Sequence, residues 1–124
     1  MPGIIDSHTH PSQGATRFLD IDCRGLGVKS IKDIQKAVAG RVKQLEPGSW
    51  VRGSNYNDSK LKERRQIHRK ELDKVAPDNP VIFVSDTGHQ SVVNSKALKI
   101  AGINKETEDP HGGHIDKEDR KSVV

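Results

Sequence analysis

Four consecutive apolar β-formers, Val81-Ile82-Phe83-Val84, stand between Pro80 and the turn-forming run Ser85-Asp86-Thr87-Gly88. No other segment of the chain signals a strand so strongly, and any fold must build a sheet around it. Leu19-Asp20-Ile21-Asp22-Cys23 alternates with period two, as a half-buried strand does. Trp50-Val51-Arg52-Gly53 predicts another short strand, followed by a polar loop to Lys60. Near the start, Ile4 and Ile5 are adjacent and β-branched with no polar alternation before Pro11, which suits a strand covered on both sides, as in a parallel sheet. Helices fall between these strands. Ser30 is a good N-cap, Asp33 lies in the first turn, and Ile31, Ile34, Val38, Val42 and Leu45 recur at helical spacing until Pro47-Gly48. A short helix is expected from Arg69 to Val75, before Pro77. Asn94 or Ser95 should cap a further helix through Ala97, Leu98 and Ala101, with Gly102 as its stop. After Ile103 no periodicity remains, and there is no internal repeat. Strands alternating with helices predict an α/β fold.

Length and composition narrow the choice. A chain of 124 residues is normally one domain, whereas a complete (β/α)8 barrel needs about 200 residues or more. Aromatic residues make up only 3%, so the core must rest on Ile, Leu and Val. The single cysteine, Cys23, excludes an internal disulfide framework, fits a reducing compartment, and is expected to be a packing residue rather than a reactive thiol. No apolar run approaches the roughly 20 residues needed to span a bilayer. Residues 1–6 lack the basic flank and apolar stretch of a signal peptide. A cytoplasmic chain without membrane association is the expectation.

The net charge of +4 raises the question of a nucleic-acid partner, because Lys60, Lys62, Arg64, Arg65, Arg69 and Lys70 crowd together as a phosphate-binding surface requires. Glu63, Glu71 and Asp73 are interleaved with them, however, and no aromatic side chain is nearby to stack on bases. A solvated loop and helix face is the plainer alternative, so no nucleic-acid partner is expected.

The chemistry-bearing feature is His8-Thr9-His10, at the end of the Ile4-Ile5 strand. Residues i and i+2 of a strand point to the same face, about 6.5 Å apart at a rise near 3.3 Å per residue. Two imidazoles at that spacing can meet at one metal ion, where Zn–N distances are about 2.0–2.1 Å. The alternative is a pair of surface or hydrogen-bonded histidines, since six histidines in this chain produce such pairs by chance. Parallel barrels place their chemistry at the C-terminal ends of strands, where this pair would sit.

The run Pro2-Gly3-Ile4-Ile5-Asp6-Ser7-His8-Thr9-His10-Pro11 resembles the sequence that opens the barrel in the amidohydrolase superfamily. Glu71-Leu72-Asp73, Pro77-Asp78-Asn79-Pro80-Val81, Gly88-His89, Val93-Asn94-Ser95-Lys96-Ala97-Leu98, Ala101-Gly102-Ile103 and Asp109-Pro110-His111-Gly112-Gly113 follow in the order of the amidohydrolase 3 (YtcJ-like) family. The likeness runs from Pro2 to about Asp116. It implies a metal-dependent hydrolase of C–N bonds other than peptide bonds, with a divalent metal, zinc by expectation, activating a water molecule. His8 and His10 match its first two metal ligands. Asp6 is a candidate to orient one imidazole, with a strand-end cap or a salt bridge as the alternative. His89 matches a Gly-His near the substrate site in similar proteins; the alternative is a histidine held in its turn. His111 and His114 form a second pair, expected in a flexible solvated loop, and His68 is expected to face water.

Two departures from the family stand out. Ile67 and His68 occupy the places of a Pro and a hydroxyl residue before the Arg of Arg-x-x-Leu-Asp, which puts that turn in question. The further metal donors and the acid or lysine such enzymes take from later strands are not found here. The expectation is therefore a partial TIM-barrel-type α/β chain: a first barrel strand at 1–11, an α/β insertion at 12–103 and an irregular tail at 104–124. Such a chain should be inactive in isolation, with a small-molecule substrate in the full-length enzyme and self-association through exposed strand edges. The rival expectations are a non-enzymatic or decayed α/β binding module and, behind it, a basic nucleic-acid binder.

Overall fold

The run at Val81 lies in the interior of a four-stranded sheet in a small α/β domain. The computed structural model describes residues 3, 12, 19–25 and 27–117; the expected strand at 1–11, with Asp6, His8 and His10, lies outside the described residues. Strands β1 (Ile21–Asp22), β2 (Val51–Tyr56), β3 (Val81–Ser85) and β4 (Ser91–Val93) stand in that spatial order. The β1–β2 and β2–β3 pairs are parallel, and the β3–β4 pair is antiparallel. Helix α1 (Ile31–Val42) connects β1 to β2, α2 (Arg69–Asp73) connects β2 to β3, and α3 (Ser95–Ala101) follows β4. This is the alternation expected from the sequence, with crossover helices joining the parallel strands.

Caps account for the helix boundaries. At α1 the Ser30 hydroxyl accepts from Asp33 N at 3.2 Å while the Asp33 carboxylate accepts from Ser30 N at 3.1 Å, a reciprocal capping box. The helix stops at Val42 rather than at Pro47: Gln44 N and Leu45 N turn back onto Arg41 and Val42 carbonyls, which tightens the chain toward β2. Helix α3 is capped by Asn94 and ends at Gly102, whose φ of 71° is the left-handed conformation that closes helices. The turn before α2 is intact despite Ile67 and His68. Ile67 is fully buried, and His68 caps the helix through its Nδ1, which accepts from Lys70 N, while Glu71 accepts from His68 N. The half-buried imidazole takes over the capping role of a hydroxyl residue.

Strand lengths depart from expectation in both directions. Expected to end at Gly53, β2 continues through polar Ser54 and Asn55 to Tyr56, because an interior strand is held by hydrogen bonds to neighbours on both sides whatever its side chains. Strand β1 is shorter than Leu19–Cys23: as a sheet edge it pairs only at Ile21↔Gly53 and Asp22↔Ser54, and Leu19 is 70% exposed. The short β4 was not expected; its three residues run straight into the α3 cap, so no pattern announces it.

The core lies between the sheet and the helices. Ile31, Ile34 and Val38 of α1 and Leu72 of α2 pack with Val51, Tyr56, Val81 and Phe83 of the sheet. Aliphatic side chains dominate this core, and Phe83 with Tyr56 adds its one aromatic contact among the described residues, edge to face at 6.3 Å between centroids. The basic segment is tied into the same framework. Arg65 makes a two-pronged bond to Glu71 at 2.7 and 3.0 Å, Lys60 pairs with Asp86 at 3.7 Å, and Arg69 donates to Ser95 Oγ at 3.0 Å. Of the interleaved acids, Glu63 accepts from Ile31 N at the start of α1, and Asp73 accepts from Ser95 N and Oγ at the start of α3.

Candidate functional site

In open α/β sheets ligands bind beyond the carboxyl ends of the parallel strands. Here that rim is formed by the ends of β1, β2 and β3 and by the segments after them. Strand β2 does not arrive there as a regular strand. Gly53 pairs with Phe83 and Tyr56 with Ser85, so β2 carries one residue more than β3 between these points, a β-bulge. Asn55 lies in the bulge with φ of 58°, the left-handed region that Asn tolerates better than most residues. Its amide, turned toward β1, donates to Asp22 Oδ1 at 2.8 Å.

A cavity of about 170 Å³ opens between the ends of β1 and β2. Cys23, Asn55 and Tyr56 line it from the strands, Val28 and Leu61 are apolar parts of the lining, and Arg24, Asn57 and Lys60 complete it. Burial pushes the Cys23 thiol up to about 12, helped by the Asp22 charge, and burial likewise raises the Tyr56 phenol to about 12. Both groups are protonated at neutral pH. The Tyr56 hydroxyl is already committed, donating to Gln66 Oε1 and accepting from buried Ile67 N, each at 3.0 Å. Asp22 is held below its ordinary range by the Arg24 N–H and then by Asn55; Asp86, just past β3, is lowered chiefly by the Asn57 amide. The thiol and phenol at this rim therefore offer neither a thiolate nucleophile nor a phenolate base at neutral pH.

His89 is placed in the turn between β3 and β4, at the carboxyl end of β3. It is exposed, does not line the cavity, and its backbone N–H reaches Thr87 Oγ1 at 3.4 Å. The structure thus brings His89 to the same edge of the sheet as the cavity but not into it. Among the described residues no group of three or more His, Cys, Asp or Glu side chains is placed to hold a metal ion, so the described residues do not by themselves fit a metal site. The expected ligands His8 and His10 lie outside them. Sequence patterns missed Asn55 and Asn57, because neither carries a motif; a polar run continuing directly from a strand was the available signal.

Of the second histidine pair, His114 is held by neighbouring acids, while His111 is exposed. His114 Nδ1 lies 2.7 Å from Asp109 and its Nε2 2.9 Å from Asp116, while Ile115 N donates to Asp109 and Gly113 N to the Pro110 carbonyl. Lys117 Nζ closes the segment on the Lys105 and Thr107 carbonyls. A neutral imidazole can donate through only one nitrogen, so the arrangement favours the charged ring, and Asp109 above all raises its pKa. A pKa raised by folding means that this clasp contributes fully below the unfolded value, about 6.5, and is lost as pH rises through the folded value. An NMR titration should find the His114 midpoint higher in the native chain than in urea, and lower in Asp109→Asn than in the native chain. An Asp109→Asn midpoint equal to the native one would show that the clasp does not form.

The whole chain, residues 1–124, matches the Amidohydrolase family. An N-substituted formamide deformylase of Arthrobacter pascens is 35% identical over 118 residues, which is 95% of this chain and 22% of that protein. The protein of Bacillus subtilis (strain 168) named as amidohydrolase YtcJ is 34% identical over 117 residues, 94% of this chain and 22% of that one. Among solved structures, an uncharacterized metal-dependent hydrolase from Pyrococcus horikoshii OT3 superposes with a TM-score of 0.60 at 26% identity, over 85% of this chain and 20% of that one. The chain thus spans about a fifth of the length of each of these relatives.

Proposed function

The chain belongs to the amidohydrolase family, and we propose on that basis that it is the part of a metal-dependent hydrolase of non-peptide C–N bonds that supplies two imidazole metal donors, His8 and His10. The observation that carries this proposal is the family match over the full 124 residues, in a chain whose first apolar run leads directly into His8-Thr9-His10. A divalent metal, zinc by its preference for imidazole, would supply Lewis acidity and a water of lowered pKa. Catalytic zinc takes three protein ligands and an open position, so two imidazoles leave the site short by at least one donor, and none of the described side-chain groups supplies a site of its own. The 124 residues alone are accordingly proposed to be inactive, with the substrate a small molecule. His89, at the carboxyl edge of β3, is proposed to face that substrate. With Arg65 and Arg69 engaged within the fold and Glu63, Glu71 and Asp73 interleaved among the basic residues, nucleic acid is not proposed as a partner.

The test is zinc content after exhaustive dialysis, together with zinc titration of the parent chain, His8→Ala and His10→Ala. The expected result is weak binding that both substitutions abolish, with no metal-dependent hydrolysis of amides or N-substituted formamides by the parent. Tight stoichiometric zinc that survives both substitutions would place the metal elsewhere. Metal-dependent turnover by the parent chain would overturn the proposed inactivity.

A further inference from the structure

The cavity between the ends of β1 and β2 has a lining of one charge sign. Among the described residues that line it, the charged ones are Arg24 and Lys60, and none is a carboxylate. Cys23 and Tyr56, held neutral by burial, add no negative charge. Three acids stand beside it: Asp58, whose charge reaches Tyr56 but which is not among the lining residues, and Asp22 and Asp86, whose carboxylates are bonded to neighbouring amides. Asp22 accepts from Arg24 N at 3.0 Å and from the Asn55 amide at 2.8 Å, and Asp86 accepts from the Asn57 amide at 2.8 Å. The ion pairs from these acids to Arg24 and Lys60 span 3.7 Å in both cases, with the cationic side chains 65% and 71% exposed. Pairs so long and so exposed hold their cations weakly, leaving them able to turn toward a ligand.

The backbone beneath the cavity is also specialised. Asn55 keeps its left-handed conformation at the bulge while 9% exposed, and non-glycine residues in that region persist only where surrounding bonds hold them; such strain concentrates at ligand-binding positions. A volume of about 170 Å³ exceeds what a single water needs and admits a ligand of several heavy atoms. We propose that this cavity binds a compact carboxylate, with the Arg24 guanidinium and the Lys60 ammonium as its charge partners and the Asn55–Asp22 bridge as the support that sets the cavity's shape. A planar guanidinium matches a carboxylate by donating two parallel N–H bonds. The site requires neither the metal nor the hydrolytic reaction, and it stands or falls separately from them.

The experiment is a titration of the full 124-residue chain with sodium acetate, followed by amide chemical shifts at constant ionic strength, with inorganic phosphate and chloride in parallel. Saturable acetate binding is expected, with shifts centred on residues 23–28 and 55–61, and with chloride inert. Arg24→Gln and Lys60→Gln should each weaken acetate about tenfold, the effect of losing one charge-assisted bond. Lys99→Gln on α3 should leave it unchanged. Both tested side chains are exposed, and an unaltered thermal melt would show that the variants remain folded. Acetate affinity unchanged in the Arg24→Gln/Lys60→Gln double variant would overturn the proposal, as would shifts that never saturate. Phosphate binding more tightly than acetate would overturn the carboxylate assignment.

Discussion

Asn94→Ala is expected to lower the stability of this domain by about 4 kcal/mol, the combined cost of leaving buried backbone groups without partners at roughly 1–3 kcal/mol each, partly relieved by water. Asn94 is completely buried, and its side chain makes four hydrogen bonds. Oδ1 accepts from Val81 N at 2.9 Å and from Ala97 N at 3.0 Å; Nδ2 donates to the Ala76 carbonyl at 3.1 Å and the Asn79 carbonyl at 2.8 Å. One amide thus starts β3, caps α3 and fastens both to the segment between α2 and β3. Ser30→Ala, the loss of a half-exposed cap on α1, should cost only about 1 kcal/mol. Urea unfolding midpoints of the two variants give the comparison. If Asn94→Ala proves no worse than Ser30→Ala, water has replaced the amide and the keystone role is wrong. With small domains stable by about 5–15 kcal/mol, the expected loss would leave a marginal fold.

Gly53→Ala should be nearly as damaging, for a steric reason. A Cβ at Gly53 would lie 2.1 Å from Cδ1 and Cε1 of Phe83. That ring is fully buried and packed edge to face against Tyr56, so it has little room to retreat. The expected cost is about 3 kcal/mol, at the upper end of the range for overpacking. Phe83→Leu will destabilise on its own account by removing core volume. The double variant should nevertheless lose less than the sum of the two single losses, because the smaller side chain makes room for the new methyl. Strict additivity in that cycle would show that the Gly53 backbone, not the Phe83 ring, is what forbids a side chain.

Asn94 shows how the family resemblance came to be legible. Beyond the histidine pair, much of it rests on Asp73, Asn79, Asn94 and Ser95. The structure shows these as hydrogen-bonding junctions: Asn79, almost fully buried, donates to the Glu46 and Ser49 carbonyls, and Asp73 receives both Ser95 N and Ser95 Oγ. A buried polar side chain with every bond made tolerates few replacements, so an ordered set of such residues reports a shared framework. It does not report the chemistry. That reading rests on His8 and His10, which lie outside the described residues.

What the sequence determined by itself is local. Ser30, Asn94 and Gly102 mark helix ends because a cap acts on N–H and carbonyl groups within a few residues of itself. The period of Ile31, Ile34 and Val38 marks a buried helix face, and the Val81 run marks an interior strand, because both patterns express burial along a continuous segment. Only the tertiary structure decided the rest. That β2 continues to Tyr56, that β1 shrinks to two residues, that a bulge places Asn55 in a left-handed conformation facing Asp22, and that Phe83 forbids a Cβ at Gly53 all depend on partners about 30 residues or more away in the chain. The same holds for the cavity: Arg24 and Lys60, 36 positions apart in sequence, meet only because parallel pairing brings the ends of β1 and β2 side by side.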